Sequence, residues 1–245
     1  MKLPVARVSV LSIAGSDSGG GAGIQADLKT FAAHRVHGLT AIAALTAQNT
    51  RGVRAQCVPD VAFLAAQVEA LFDDFEITAV KLGMLASAAV IEAVASLLRR
   101  FKPVHVILDP VMVASSGARL LEPDALSALR TQLVPLATLL TPNVPEAELL
   151  LERRIGDSAA ADDALHALCD LGARAVLLKG GHMPGAGPME DLLLADGACT
   201  RFLHPRLDRS GHGTGCTLAA ALAARLGRGE ELLAACQGAT DYVHG

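Results

Sequence analysis

Short apolar runs alternate with amphipathic segments along most of this chain. The runs are strand candidates, and they cover residues 5–14, 39–46, 79–82, 105–108, 138–140 and 175–178. Between them the apolar residues recur at helical spacing, as Leu64, Val68 and Leu71 do after the capping residue Asp60. Strands that alternate with helices predict a mostly parallel central sheet with helices on both faces, which is a three-layer α/β/α sandwich.

The composition excludes several functional classes. Residues 1–245 contain no internal repeat and no low-complexity linker, so we expect one domain. Hydrophobic residues make up 51% and charged residues 19%, which excludes an intrinsically disordered chain. A net charge of −4, one tyrosine and no tryptophan argue against a nucleic-acid partner. The charge-poor stretch 131–145 contains three prolines and is too short to cross a bilayer, so we expect no membrane partner.

The five cysteines are scattered along the chain and form no C-x-x-C pair. An odd, unpaired set predicts a reducing compartment, which here means the cytoplasm. The same pattern argues against a disulfide framework and against a structural zinc site.

A glycine-rich segment, GSDSGGGAGIQAD, covers residues 15–27 between the first strand and the first predicted helix. Its last part matches the dinucleotide fingerprint G-x-G-x-x-A, but no acidic residue occurs between Asp27 and Asp60 to bind a ribose. Its D-S-G-G also occurs in a class of serine proteases with an all-β fold. Because strands and helices alternate in this chain, we interpret that match as chance. Five glycines within nine residues favour close backbone approach to a ligand over a plain flexible turn.

A second glycine motif, HGTGCT at residues 212–217, opens an apolar helix. The free N–H groups and the positive dipole end of a helix N-terminus suit a developing phosphate charge. Cys216 falls in or beside the first turn, where the pKa of a thiol is typically lowered. We therefore expect a thiolate near neutral pH; the alternative is a small cysteine that only fills space in the turn.

Polar side chains follow three of the predicted strands. Asp109 and Lys179 each come directly after a strand, and Asn143 and Glu146 follow another. Carboxylates at strand ends, with a lysine and Gly180-Gly181 nearby, fit a magnesium–nucleotide site. No Gly-Lys pair occurs in the chain, so this is not a P-loop. The alternatives are a helix-capping charge for Glu146 and a surface ion pair for Lys179.

Together these motifs resemble the ribokinase-like superfamily and, within it, the hydroxymethylpyrimidine/phosphomethylpyrimidine kinases of thiamine biosynthesis. The ordered segments that carry the resemblance are residues 14–27, 46–50, 81–84, 108–112, 141–146, 179–182 and 212–217. The resemblance implies a ribokinase-like fold and two ATP- and Mg²⁺-dependent steps, from 4-amino-5-hydroxymethyl-2-methylpyrimidine to its monophosphate and then to its diphosphate. It also implies a homodimer. The alternatives are a cysteine-type pyridoxal kinase and an inactive pyrimidine- or phosphate-binding sensor.

The resemblance also implies residue roles. It places Cys216 where sugar kinases of the superfamily carry an aspartate base. The residues that match the pyrimidine site are Gly15, Asp27, Gln48 and Met84. Those that match the catalytic loop beside Cys216 are Gly213, Thr214 and Gly215; those on the nucleotide side are Lys179, Asn143 and His212; and those on the metal side are Glu146 and Asp109. Ser210-Gly211 departs from the family, which has Asn-Thr there.

Overall fold

A computed structural model describes residues 8–114, 117–182, 188–205 and 213–244 of the chain, without the side chain of His182. The strands of these residues are β1 (Ser9–Asp17), β2 (His37–Asn49), β3 (Gly52–Cys57), β4 (Ile77–Leu82), β5 (His105–Leu108), β6 (Leu139–Leu140), β7 (Ala175–Leu178), β8 (Met189–Ala195) and β9 (Ala198–His204). They form one sheet in the order β3-β2-β1-β4-β5-β6-β7-β8-β9. Six neighbouring strands of the sheet are parallel, in the order β2, β1, β4, β5, β6 and β7. Strand β3 at one edge and strands β8 and β9 at the other pair antiparallel.

Helices cover both faces of this sheet. They are α1 (Gly23–Ala33), α2 (Val61–Asp74), α3 (Ala88–Phe101), α4 (Ala125–Ala128), α5 (Val144–Leu151), α6 (Ser158–Asp170), α7 (Thr214–Gly227) and α8 (Leu232–His244). One face packs against α2 to α6, and the other against α1, α7 and α8. The predicted three-layer α/β/α sandwich with a mostly parallel sheet is confirmed.

Successive side chains of the central strands alternate between the two layers, as the two-residue period of a strand requires. Leu11 and Ile13 of β1 join the core beneath α2 to α6, whereas Val10 joins the core beneath α7. Because both faces are covered, the central strands are continuous apolar runs. That is why the apolar runs in the sequence predicted these strands.

Local signals place the helix starts correctly. The Asp60 side chain accepts a hydrogen bond from the Ala62 N–H at the start of α2, and Ser87 accepts one from the Val90 N–H at the start of α3. The capping residue satisfies a backbone donor that has no partner within the helix. These caps agree with the sequence prediction.

Two elements differ from the sequence prediction. The edge strand β3, GVRAQC, was not predicted; it alternates Val53, Ala55 and Cys57 with polar residues, and most of it is exposed. Pro123 suits the first turn of a helix, but the α-helix that follows it is only the short α4, which continues as a π-helical turn and a 3₁₀ turn. Within the described residues, no helix combines the length and apolar character needed to span a membrane.

Candidate active site

Five parallel strands, β1 and β4 to β7, end at the same edge of the sheet, as expected for the binding edge of an open α/β fold. The first residue after β5 is Asp109, and the first after β7 is Lys179. Helix α7 contacts β1, β4 and β5 and begins at this edge. The sequence prediction that these polar residues lie together is confirmed by their contacts, described next.

The glycine-rich loop after β1 is held in place by Asp17. Its buried carboxylate accepts hydrogen bonds from the backbone N–H groups of Gly19, Gly21 and Ala22, at 2.8, 3.0 and 2.8 Å. Three charge-assisted hydrogen bonds fix the turn that leads into α1. Asp17 therefore organises this loop, a role that the sequence did not predict.

The two glycine motifs touch each other backbone to backbone. Gly213 is the N-cap of α7, with a φ of 82°, and a Cβ there would collide with the carbonyl oxygen of Gly21. Both the left-handed conformation and the close contact require glycine. Thr214, the first residue of α7, is exposed. His212 and the departure at Ser210-Gly211 lie outside the described residues.

The start of α7 lies over a buried ion pair. The Lys179 ammonium donates to Asp109 Oδ1 at 2.9 Å and is 3.9 Å from Glu146 Oε2. A Cβ at Gly215 would lie 3.2 Å from Lys179 Nζ and 3.7 Å from Asp109 Oδ2. Glycine at this position therefore leaves room between the helix N-terminus and the charged groups. We call Lys179, Asp109 and Glu146 the phosphate-side cluster.

Glu146 enters this cluster through a capping box at the start of α5. The Asn143 side chain accepts from the Glu146 N–H, and the Glu146 carboxylate accepts from the Asn143 N–H, both at 2.8 Å. Burial raises the pKa of Glu146 to about 7, although Lys179 opposes that rise. Burial also lowers the pKa of Lys179, but the carboxylates of Asp109 and Glu146 outweigh it and hold that pKa above its usual value. Glu146 is therefore the capping residue that the alternative described, and its carboxylate also lies in the phosphate-side cluster.

A second buried ion pair lies on the β1–β4 side. The Lys81 ammonium donates to Asp27 Oδ2 at 2.9 Å, and the Ser12 hydroxyl donates to the same oxygen at 2.6 Å. The side chains of Lys81 and Asp27 are both fully buried. Within the described residues, Asp27 Oδ1 has no hydrogen-bond partner. We call Lys81 and Asp27 the substrate-side pair.

Lys81 pairs with Asp27 and acts electrostatically on Cys216, but the sequence analysis assigned it no role. It was quoted only as part of the segment 81–84, although a lysine inside the apolar run 79–82 was the available signal. The lysine packs against Gly83, where a Cβ would lie 2.8 Å from Lys81 Nζ.

The other residues matched to the pyrimidine site lie along β1, β2 and the end of β4. Met84 is buried against Gly15, where a Cβ would lie 2.9 Å from the methionine sulfur. Gln48 is near the end of β2 and is partly exposed; its Oε1 accepts from the Thr46 hydroxyl at 3.2 Å. The Gly15–Met84 contact shows why a side chain at residue 15 does not fit.

Cys216 lies between the two ion pairs. It interacts electrostatically with Lys81 and Asp27 on one side and with Asp109 on the other. Burial raises the pKa of its thiol to about 11, despite the opposing effects of Lys81 and the Gly23 N–H. The expected thiolate near neutral pH is therefore wrong for the unliganded protein, because desolvation exceeds the stabilisation of the anion. The placement of Cys216 in the first turn of α7 is confirmed.

Comparison with known proteins decides the family. The family model described as phosphomethylpyrimidine kinase matches residues 17–245. The chain belongs to the phosphomethylpyrimidine kinase family. It is 50% identical to the hydroxymethylpyrimidine/phosphomethylpyrimidine kinase of Rhizobium meliloti (strain 1021), over 96% of this chain and 88% of that protein. It is 48% identical to the thiamine biosynthesis bifunctional protein ThiED of Geobacter sulfurreducens, over 99% of this chain but only 49% of that protein.

Solved structures of a phosphomethylpyrimidine kinase and of a pyridoxal kinase share the fold. Phosphomethylpyrimidine kinase from Clostridium difficile 630 superposes with a TM-score of 0.86 at 38% identity, covering 96% of this chain and 97% of that one. Pyridoxal kinase from Staphylococcus aureus in complex with AMP-PCP and pyridoxal gives a TM-score of 0.88 at 29% identity, over 98% of this chain and 87% of that one. The ribokinase-like architecture expected from the sequence is confirmed, and the chain is a kinase.

Proposed function

We propose that this kinase transfers a phosphoryl group from ATP to the hydroxymethyl oxygen of 4-amino-5-hydroxymethyl-2-methylpyrimidine. A second transfer, to the monophosphate, gives the diphosphate. The observation that carries the proposal is the start of α7, which is packed on the glycine-rich loop and faces Lys179 and Asp109. The relatives' names supply the pyrimidine.

The start of α7 and Lys179 act on the transferred phosphoryl group. The backbone N–H groups of Gly213 and Gly215 lie at the N-terminus of α7, which is its positive end, where they stabilise charge on phosphate oxygens. Lys179 adds a positive charge beside them. Phosphoryl transfer depends mostly on positioning and charge stabilisation, which this arrangement provides. Asn143, which pairs with Lys179 across neighbouring strand ends, and His212 complete the proposed nucleotide side.

The phosphate-side cluster fits a magnesium ion. Two carboxylates, Asp109 and Glu146, share one lysine, so the cluster has one negative charge in excess when both are ionised. Oxygen donors of this kind suit Mg²⁺, which keeps several waters when it binds together with phosphates. When bound, Mg²⁺ neutralises charge on the nucleotide phosphates. The two carboxylates would hold it, partly through its waters.

The pyrimidine binds on the side of the substrate-side pair. An aminopyrimidine offers an amino donor beside a ring-nitrogen acceptor, and the Gln48 amide can donate to one and accept from the other. Asp27 Oδ1 is buried without a described partner and can accept from an amino group. Met84 supplies an apolar surface for the ring. We expect Gln48→Ala to weaken pyrimidine binding by roughly 1–3 kcal/mol, measured by calorimetry; unchanged affinity removes Gln48 from the site.

Cys216 interacts with charged groups on both sides, and the proposal puts the reacting hydroxyl beside it. We expect Cys216→Ala to retain binding of ATP and pyrimidine but to lower kcat by ~10²–10⁴-fold, the usual contribution of a positioned base. Because the pKa of the thiol is raised to about 11, a base at this position becomes more active as pH rises. In the parent enzyme log(kcat/KM) should therefore climb by about one unit per pH unit above neutrality. A Cys216→Ala enzyme with the parent's rate and pH profile would leave Cys216 only its packing role.

The test of the proposed function is ATP consumption with a panel of hydroxymethyl heteroaromatics and the pyrimidine monophosphate. We expect both pyrimidine substrates to be turned over with the highest kcat/KM. Pyridoxal belongs in the panel because pyridoxal kinases share the fold at 29% identity. A higher kcat/KM for pyridoxal identifies the enzyme as a pyridoxal kinase, and no turnover of any substrate identifies a binding protein without activity.

We also propose that the chain forms a homodimer in the cytoplasm. The edge hairpin of β2 and β3 supports the dimer, because Leu45 is 44% exposed there and most of β3 faces outward. Free cysteines support a reducing compartment. Light scattering of the purified protein measures the mass directly; a monomer at micromolar concentration contradicts the dimer.

A further inference from the structure

Three side chains from separate elements meet at the edge of the sheet, outside the proposed active site. Asp191 is on β8, His204 ends β9, and His244 is in the last turn of α8. One oxygen or ring nitrogen from each lies within 4.8 Å of the other two. His204 Nε2 is 3.7 Å from Asp191 Oδ2. The fold therefore brings together donors that are up to 53 positions apart in the sequence.

The two histidines present nitrogens without partners. Within the described residues, His204 Nε2 and His244 Nδ1 are both buried and have no hydrogen-bond partner. His204 is only 5% exposed. The two rings stack in parallel, with centroids 4.4 Å apart and planes 7° apart. Buried polar atoms in native proteins nearly always have a partner. Two buried nitrogens without a described partner, beside a carboxylate oxygen, therefore indicate a ligand that binds all three groups.

The carboxylate is already oriented for such a role. Asp191 Oδ1 accepts a hydrogen bond from the Gly180 N–H at 2.9 Å, which leaves Oδ2 directed toward His204. Carboxylates that bind metal ions are typically held by a hydrogen bond of this kind to their other oxygen. At Gly180 a Cβ would collide with the Glu190 carbonyl oxygen, so this backbone contact depends on glycine.

We propose that Asp191, His204 and His244 bind a transition-metal ion, with Zn²⁺ as the best match. Two imidazole nitrogens and one carboxylate oxygen are a zinc-type ligand set, and water can take the fourth position. Ligands at ~2.0–2.1 Å from a tetrahedral ion lie about 3.3 Å apart, so the donors close in by about 1.5 Å at most. The two stacked rings also turn out of their parallel arrangement, so that both nitrogen lone pairs point at the ion. Mg²⁺ prefers oxygen ligands and does not compete for two imidazoles.

This site uses none of the cysteines, whose spacing argued against a structural zinc site. Its ion would connect the end of α8 to β8 and β9. Through Asp191 and Gly180 it would also support the turn that directly follows Lys179. The metal ion would therefore anchor the end of α8 and support the turn after Lys179.

The experiment is a Zn²⁺ titration of chelator-stripped protein in excess Mg²⁺, followed by calorimetry and by thermal unfolding. Excess Mg²⁺ occupies the carboxylates of the phosphate-side cluster. We expect one Zn²⁺ per chain and a Tm that rises by roughly 5–10 °C at a hundredfold excess over Kd. His244→Gln and Asp191→Asn should each weaken Zn²⁺ binding by more than ~10–100-fold, the usual cost of losing only a supporting residue.

His166→Gln is the matched control, because His166 is exposed on α6 and far from the cluster in sequence; its affinity should equal that of the parent. Co²⁺ substitution of the parent protein gives a readout that needs no variant, since nitrogen and oxygen ligands produce tetrahedral d–d bands without a sulfur charge-transfer band. Absence of Zn²⁺ binding, a sulfur band, or equal affinity in His244→Gln and His166→Gln overturns the proposal. None of these readouts depends on kinase activity, so they stand apart from the proposed function.

Discussion

The site contains two lysine–aspartate ion pairs, one on each side of Cys216, and they differ in exposure and in charge balance. Lys81 and Asp27 are both fully buried, and the pair contains one charge of each sign. Lys179 and Asp109 have side chains 15% and 2% exposed, and Glu146 adds a second carboxylate 3.9 Å from the lysine. The first pair has no solvent exposure and is balanced in charge, whereas the second is slightly exposed and carries excess negative charge when both carboxylates are ionised.

The difference teaches what each pair can do. Removing one partner of a fully buried pair lowers the stability of the folded protein strongly, because the remaining charge is buried without compensation. In a cluster that is slightly exposed, a ligand, a metal ion or a proton can replace one of the partners with a smaller loss of stability. We therefore expect the substrate-side pair to dominate stability and the phosphate-side cluster to dominate turnover.

The largest expected effect on stability is that of Lys81→Met. It leaves the Asp27 carboxylate buried without its cation, which should lower the free energy of unfolding by roughly 3–5 kcal/mol in denaturant titrations. Lys102→Met removes a lysine at an exposed position and is the matched control. The double variant Lys81→Met/Asp27→Leu should recover most of the loss. If Lys81→Met is as stable as Lys102→Met, the Lys81–Asp27 pair does not stabilise the folded protein.

The next prediction concerns Lys179→Met. Removal of one preorganised positive group at the phosphate side should lower kcat by roughly 10²–10³-fold. The loss of stability should be smaller than for Lys81→Met, because Glu146 can take up a proton and the cluster is partly open to water. Steady-state kinetics and denaturant titrations of the two variants test the comparison. A larger stability loss for Lys179→Met than for Lys81→Met would reverse it.

The smallest effect is a pH dependence carried by Glu146. Burial raises its pKa in the folded state to about 7, above the ordinary glutamate value, so the folded protein binds this proton more tightly than the unfolded chain does. Relative to Glu146→Gln, the parent should lose roughly 1–3 kcal/mol of unfolding free energy as pH rises from about 4.5 to about 7, and no more above that. Denaturant titrations in chelator across this range measure it; two parallel curves would show that Glu146 titrates normally.

Much of the fold and part of the site followed from sequence pattern. Apolar runs and helix caps are local signals, so β5, β7, α2 and α3 were predicted close to their observed bounds. Asp109 and Lys179 were predicted to meet because the carboxyl ends of parallel strands share one edge. The edge strand β3 was missed because it is short and mostly exposed, and its alternating Val53, Ala55 and Cys57 form no continuous apolar run.

The rest depends on burial and on distant contacts, which no local pattern contains. Lys81 pairs with Asp27 across 54 positions, so neither residue marks the other in the sequence. For Cys216 the sequence pattern indicated the stabilising effect of the helix end on the thiolate, but not the desolvation that outweighs it. The Asp191, His204 and His244 cluster likewise forms only through β8–β9 pairing and the position of α8.

The contact between Gly213 and Gly21 has a consequence for the order of folding. These residues are 192 positions apart, so the loop that their contact closes spans most of the chain. Long loops are closed late, after nearer contacts have formed. Before α7 docks, the face of the sheet that carries Val10, Ala79 and Ile107 lacks its main cover. A ribosome-bound chain that has not yet emerged as far as α7 therefore exposes this apolar face, and exposed apolar surface of this kind promotes aggregation.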